Sequence, residues 1–205
     1  MACGSLTNMH LAGKRMEYRI VLASNSPRRK ELLGGLGFDF ETRVIRGIDE
    51  SWPQDLKGEQ IALYISAVKA GAYRDSMAAN ELIITADTIV YIDEQVLGKP
   101  KDKADAAAML RRLSGRWHEV ITGVTLTTET RQKSFAVTTR VKFAELSDSD
   151  IEYYIENYKP FDKAGAYGIQ EWIGYVGVES IEGSYFNVVG LPVQRLNKEL
   201  KDFIG

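Results

Sequence analysis

The sequence predicts a mixed α/β fold, and three observations carry that prediction. Short runs rich in β-formers, such as "YRIVLAS" (18–24) and "ELIITADTIVYID" (81–93), alternate with segments of helical periodicity. Some strands are followed by a return strand rather than a helix, as in "EQVLGKP" (94–100), so hairpins interrupt the alternation and the sheet should be mixed. The chain has 205 residues with no internal repeat, low-complexity tract or long linker, which suits one domain, or one domain in two lobes.

Taken in order, residues 18–24 are a buried strand. Ser26 then offers a helix cap and Pro27 falls at the first helical position, where its missing N–H costs nothing. Leu32, Leu33 and Leu36 form that helix's apolar face, and Gly34, Gly35 and Gly37 end it. Residues 38–46 read as a second strand. Residues 58–77 read as a long helix with Ile61, Tyr64, Ile65 and Val68 turned inward. Asp102 caps a helix through "AAAMLRRL", stopped by Ser114-Gly115. From His118 to Phe143 two strands flank a polar turn near 129–132. Ser147 and Asp150 form a capping box for the helix that follows. Residues 175–190 read as a hairpin turning at Glu182-Gly183, and Pro192 begins a last helix. Residues 1–17 read as a disordered extension with Met16 as an alternative start, leaving 18–205 as the folded unit.

Bulk properties exclude several function classes. The formal charge of −2 argues against a general nucleic-acid binder, so anion binding must come from a local cluster. One cysteine rules out an internal disulfide and a cysteine-rich zinc site, and fits a reducing, cytoplasmic setting. The two histidines, His10 and His118, make no helical zinc motif and no recognisable triad. No apolar run reaches membrane-span length, and no signal-peptide core is present.

Four local features carry chemistry. Arg28 and Arg29 occupy the first turn of a helix, against its dipole. With a Ser-rich turn and free helix N–H groups they form a phosphate-binding arrangement, or else a solvated basic turn. Asp87 interrupts an apolar strand, a costly place for a carboxylate unless it is paired or metal-bound, which makes it a candidate metal ligand or base, or else a strand-end aspartate hydrogen-bonded to backbone; Thr88 adds a hydroxyl. Lys99, between glycine and proline, and Lys69 are within reach of a phosphate or are simply solvated. The loop "FDKAGAYGIQ" (161–170) allows close backbone approach to a flat ligand, and the Gln170 amide suits a nucleobase edge. Together these indicate an anionic ligand with metal help.

Six motifs add to this reading. "LASNSPRRKELL", "ADTIV", "LGKP", "MLRRLSGRWHEVITGV", "DKAGAYGIQ" and "VVGLP" occur in the order and spacing of the Maf family, and the resemblance covers Ile20 to Leu196. It implies an elongated fold with a strongly twisted mixed sheet, flanking helices and two lobes around a central cleft, similar to the inosine-triphosphate pyrophosphatases. It implies a metal-dependent (Mg²⁺ or Mn²⁺) pyrophosphatase, and "DKAGAYGIQ" resembles the branch acting on dTTP and UTP, with modified pyrimidine nucleotides left open.

By this resemblance Asp87 matches a proton acceptor or metal ligand. Arg28, Thr88 and Gln170 match specificity positions; Ser24, Arg29, Lys69 and Lys99 match the phosphate-binding set; and Glu50 matches an acidic position near the metal. A homodimer fits the resemblance, as does the alternative of a nucleotide-binding regulator of septum formation without turnover. Glu171-Trp172-Ile173 depart from the small residues of many relatives, and Trp172 is expected to narrow or reshape the base pocket.

Overall fold

The computed structural model describes His10–Leu11, Lys14–Arg15 and residues 18–204. Strands β1 (His10–Leu11) and β2 (Lys14–Arg15) pair as a small antiparallel hairpin. The rest of the extension expected to be disordered lies outside the described residues.

The main sheet is open and seven-stranded. It contains β3 (Arg19–Leu22), β4 (Phe40–Thr42), β5 (Glu81–Ile92), β6 (Gln95–Leu97), β7 (Trp117–Thr127), β8 (Gln132–Phe143) and β9 (Val178–Glu182). The order is β4-β3-β5-β7-β8-β9, with β6 on β5. Pairings β3–β4 and β3–β5 are parallel, and the others are antiparallel. The mixed sheet with flanking helices is therefore as expected.

One feature of the register positions everything that follows. Along one edge of β5, β7 pairs residues 83–91. The other edge is shared: β3 pairs 81–84 and β6 pairs 90–92. Residues 85–89 thus have no strand partner on that edge, and backbone polar groups left there need another partner. Asp87 and Thr88 lie in this gap.

The faces of β5 follow from strand alternation. On one face Leu82, Ile84 and Ala86 enter one hydrophobic core, while Val90 and Ile92 enter a second. Thr88 is the residue between the two. The first core is closed by α1 (Pro27–Gly34) and α7 (Val193–Ile204), and the second by α3 (Lys103–Leu113) and α4 (Asp148–Tyr158). On the opposite face, Ile89 and Ile121 pack under α2 (Glu59–Gly71).

Helix α2 lies close to the sheet because small residues line the contact. Ala62, Ser66 and Ala70 are fully buried, and a Cβ on Gly123 would stand 2.2 Å from the Ala62 carbonyl oxygen. Ser66 Oγ is 2.9 Å from Thr125 Oγ1, and Thr85 Oγ1 donates to the Ser66 carbonyl at 2.7 Å. This corrects the inward face read from periodicity: Ile61 and Ile65 are buried, but Tyr64 is exposed. Helix α2 is also shorter than read, and a 3-10 turn follows at Arg74–Ser76.

The caps are where local chemistry places them. Ser26 Oγ accepts from Arg29 N at 3.4 Å, Asp102 caps α3, and Ser147 with Asp150 forms a reciprocal capping box. The expected hairpin at 175–190 is wrong. Its residues form α5 (Trp172–Gly177), β9 and α6 (Tyr185–Val189), and β9 pairs with β8 instead of a second strand of its own. Ser184 caps α6 by accepting from Asn187 N, and the buried Asn187 amide donates to the Val120 carbonyl and Thr139 Oγ1, each at 3.0 Å. These contacts outweigh the β preference of "YFNVV".

Candidate active site

The gap beside β5 opens into a cleft. Arg28, Arg29, Glu50, Lys69, Asp87, Thr88, Lys99 and Gln170 all line one cavity of about 300 Å³, a size within the range of small-molecule sites. Ser24 lines an adjoining compartment, and its Oγ accepts from Ser26 N at 3.2 Å. Every residue that the resemblance assigns to catalysis, specificity, phosphate or metal therefore lines the same cleft or its annexe.

Asp87 faces α2. Its Oδ1 lies 2.6 Å from the Lys69 ammonium, which is also 3.2 Å from Glu50 Oε1. Asp87 and Lys69 side chains are each 13% exposed, whereas Glu50 is 52% exposed. The desolvation cost of Asp87 in an apolar strand is thus offset by an ion pair at the cleft wall. Lys69 serves here as the shared counter-ion of two carboxylates.

Arg29 has a task that the sequence did not reveal. It donates through Nη1 to the Ala86 carbonyl at 2.9 Å, through Nε to the Gly190 carbonyl at 2.8 Å, and through Nη2 to Thr88 Oγ1 at 2.9 Å. The guanidinium fills the place of the missing strand neighbour in the β5 gap and ties α1, β5 and the end of α6 together. Burial pulls its pKa below the usual value, while nearby Asp87 acts in the opposite sense. Thr88 Oγ1 also lies 2.9 Å from Thr122 Oγ1, its register partner on β7. Arg28 reaches across the cleft to Asp162 at 3.3 Å, linking α1 to the Gly-containing loop.

That loop is fixed by buried groups. Gly165 has φ 66°, and a Cβ there would lie 2.8 Å from Val90. Lys163, only 8% exposed, pairs with Asp162 at 2.8 Å and Glu171 at 3.0 Å. The Tyr154 hydroxyl donates to Glu171 and accepts from Gly168 N at 3.0 Å. Burial and the Glu171 carboxylate push that hydroxyl's pKa up, so it stays a donor. Gln170 is left exposed at the cleft wall.

The structure corrects one expectation about the pocket. Trp172 does not line the cleft; it meets Tyr153 in a tilted contact with ring centroids 4.8 Å apart and packs against the second core. Sequence reasoning missed Trp52 and Tyr167, which do line it. Tyr167 Oη lies 2.7 Å from Nε2 of buried His118, and burial lowers His118 to about 4. A single tryptophan in a loop carries no pattern signal. Lys163 had a faint one, as a lysine among small and apolar residues in a motif already noted.

Asp87 and Glu50 converge on one ammonium, so their oxygens surround a point where positive charge is stabilised. Two hard carboxylate donors suit Mg²⁺ or Mn²⁺, which commonly take one or two carboxylates together with phosphate oxygens and water. Among the described residues no group of three or more His, Cys, Asp or Glu side chains is placed to hold a metal by itself. Nor is any helix among them long and apolar enough to cross a membrane.

Known proteins resemble this chain over most of its length. A dTTP/UTP pyrophosphatase of Phocaeicola vulgatus is 62% identical over 90% of this chain and 96% of its own. One from Bacteroides thetaiotaomicron is 56% identical over 93% of this chain and 99% of its own. Among solved structures, a HAM1 protein from Coxiella burnetii aligns with 90% of this chain and 99% of its own at 14% identity, with a TM-score of 0.48. Residues 19–203 match the family described as Maf-like protein, and the chain belongs to that family.

Proposed function

We propose that this chain hydrolyses UTP and dTTP to the nucleoside monophosphate and pyrophosphate, as one two-lobed catalytic unit spanning 18–205. The observation that carries the reading is Asp87, held by Lys69 in the strand gap of a cleft that presents cations on one side and the Gln170 loop on the other. The name borne by relatives more than half identical over nearly their whole length supports the substrate class.

Asp87 orients the attacking water and accepts its proton. The water oxygen forms a bond to the α-phosphorus, and the bond from that phosphorus to the bridging oxygen breaks, its electron pair leaving with pyrophosphate. Such transfer asks chiefly for positioning and charge neutralisation. Lys99 and Arg28 supply charge at the cleft wall. Arg29 keeps Thr88 and the Ala86 backbone in place beneath the reacting phosphate. Asp87 and Glu50 would hold a Mg²⁺ or Mn²⁺, which would supply Lewis-acid charge to phosphate oxygens.

Gln170 reads the base. Uracil and thymine offer a carbonyl acceptor beside an N3–H donor, and one amide satisfies both. Adenine and cytosine reverse that donor–acceptor order, and guanine, whose O6 and N1–H repeat it, is excluded by the size of a purine. The near-neutral charge supports free nucleotides over nucleic acid as substrate, and the reading includes a cytoplasmic setting and a homodimer.

The test is turnover of UTP, dTTP, CTP, GTP and ATP with Mg²⁺ or Mn²⁺, scored for monophosphate and pyrophosphate. UTP and dTTP should give many equivalents of pyrophosphate per protein. Binding without turnover, or preference for a purine, rejects the reading.

A further inference from the structure

The cleft has an annexe of about 610 Å³, lined on one side by residues 23–29 and on the other by residues 44–48. It shares Arg28, Arg29, Glu50, Lys69, Lys99 and Asp162 with the main cavity, so the two compartments meet at the charged wall, and Arg46 is the cation that the annexe adds. Their outer walls differ. The main cavity has Trp52, Ile169 and Gln170, suited to a base. The annexe has five cationic side chains, Arg28, Arg29, Arg46, Lys69 and Lys99, against the two carboxylates Glu50 and Asp162.

Three of those cations are already engaged: Arg28 with Asp162, Arg29 with backbone carbonyls and Thr88, and Lys69 with Glu50 and Asp87. Arg46 and Lys99 have no hydrogen bond or ion pair to a described residue. Arg46 is the one arginine in that position among those whose side chains are described.

Arg46 nonetheless sits on an anchored backbone. Ile45 and Ile48, on either side, pack on the small core of Val21, Tyr73 and Ile83. The Tyr73 hydroxyl accepts from Ile45 N at 3.0 Å and donates to the Arg43 carbonyl at 2.9 Å. Arg43 in turn holds buried Glu81 with both Nη atoms, at 2.9 and 2.6 Å. The loop is therefore pinned while the Arg46 guanidinium is left open to the annexe. An exposed, unpaired fork on a fixed mount favours a bidentate anion over a solvated surface role.

We infer that the annexe takes the pyrophosphate half of the substrate and that Arg46 grips its terminal phosphate. The inference rests on the nucleotide reading above. With the base at Gln170 and the α-phosphate at the shared wall near Asp87, the β- and γ-phosphates extend into the compartment with surplus positive charge. Arg46 then holds substrate before the bond breaks and pyrophosphate after it.

Calorimetric titration of inorganic pyrophosphate in magnesium chloride into wild type, Arg46→Ala and Arg46→Lys tests this, with UMP titrated in parallel. Arg46→Ala should weaken pyrophosphate binding about tenfold or more, the scale of one charge-assisted contact. Arg46→Lys should recover only part, because an ammonium lacks the fork. UMP affinity should move less than about twofold, a range set by rim charges in bulk water. During UTP turnover, Arg46→Ala should raise KM and the pyrophosphate inhibition constant together. Equal pyrophosphate affinity in all three proteins overturns the inference, as does no binding to wild type or an equal loss for UMP. Pyrophosphate binding that depends on Arg46 in a protein without UTP turnover supports the annexe and rejects only the nucleotide reading.

Discussion

Strand β5 carries two acidic residues six positions apart, and their surroundings differ in a way that separates scaffold from chemistry. Glu81, at the start of the strand, is 1% exposed, and its acceptors are occupied: Arg43 binds both oxygens, Arg19 binds one, and Ala78 N donates at 3.1 Å. These partners, Arg43 first, hold its pKa down at about 2. Asp87, in the unpaired stretch of the same strand, has one strong partner, Lys69, and opens onto the cleft. A carboxylate whose lone pairs are all used can only stabilise. One with free acceptor capacity facing a cavity can bind and move protons.

The largest effect expected from this contrast is on rate. Asp87→Asn keeps the shape and removes the charge, so UTP turnover should fall by roughly 10²–10⁴-fold, the range of general-base contributions. The melting temperature should stay within a few degrees, measured alongside steady-state kinetics. A variant with near-wild-type rate in saturating metal would put Asp87 with Glu81 as a structural acid.

The opposite substitution should invert that pattern. Arg43→Ala leaves Glu81 buried with fewer partners and should cost roughly 2–4 kcal/mol in urea unfolding. The kcat per folded molecule should change little at 25 °C, while KM rises modestly as the Arg46 loop loses one of its anchors. Loss of rate without loss of stability would break the proposed division of labour.

Acid should separate buried titrating groups by their windows. Burial depresses His118 from 6.5 to about 4, so the unfolded state binds the proton more tightly. Its stability contribution is fully present above pH 6.5 and is lost as pH falls towards 4, by roughly 3 kcal/mol in all. Glu81, depressed from 4.5 to about 2, loses its contribution only below pH 4.5. Unfolding midpoints at pH 7, 5.5 and 4 should therefore drop in wild type and drop less in His118→Gln. An unchanged slope in the variant would assign the loss elsewhere.

The smallest expected effect tests base reading. Gln170→Ala should narrow the kcat/KM ratio of UTP over CTP by about tenfold, a one-contact difference, with stability unchanged because Gln170 is exposed. Unaltered selectivity would move base recognition to Arg28 or the loop backbone.

How much of this was legible in the sequence depended on range. Ser26, Asp102 and the Ser147–Asp150 box were readable because a cap bonds to backbone within three residues. The helix at 185–189 was not. It is fixed by Asn187 bonding to residues 48 and 67 positions away, against local β preference. Tyr64 was misplaced because periodicity finds a face but not its centre. The centre of α2 was set by Gly123 on β7, against which the Ala62 backbone lies, with Ser66 and Ala70 fully buried further along the helix.

By itself the sequence determined that an acid stands in an apolar strand, that two arginines open a helix and that a glutamine ends a glycine-bearing loop. Residue type and local periodicity suffice for those statements. Tertiary structure alone decided what each does. Register left five residues of β5 without a strand neighbour on one edge, and Arg29 filled that edge instead of pointing wholly at a ligand. Lys69 met Asp87 across 18 positions, and Arg46 was left open on a pinned loop while Arg43, three residues earlier, was consumed by Glu81. Hydrogen-bond capacity is a property of each residue, but whether any remains for a substrate depends on neighbours distant in the chain.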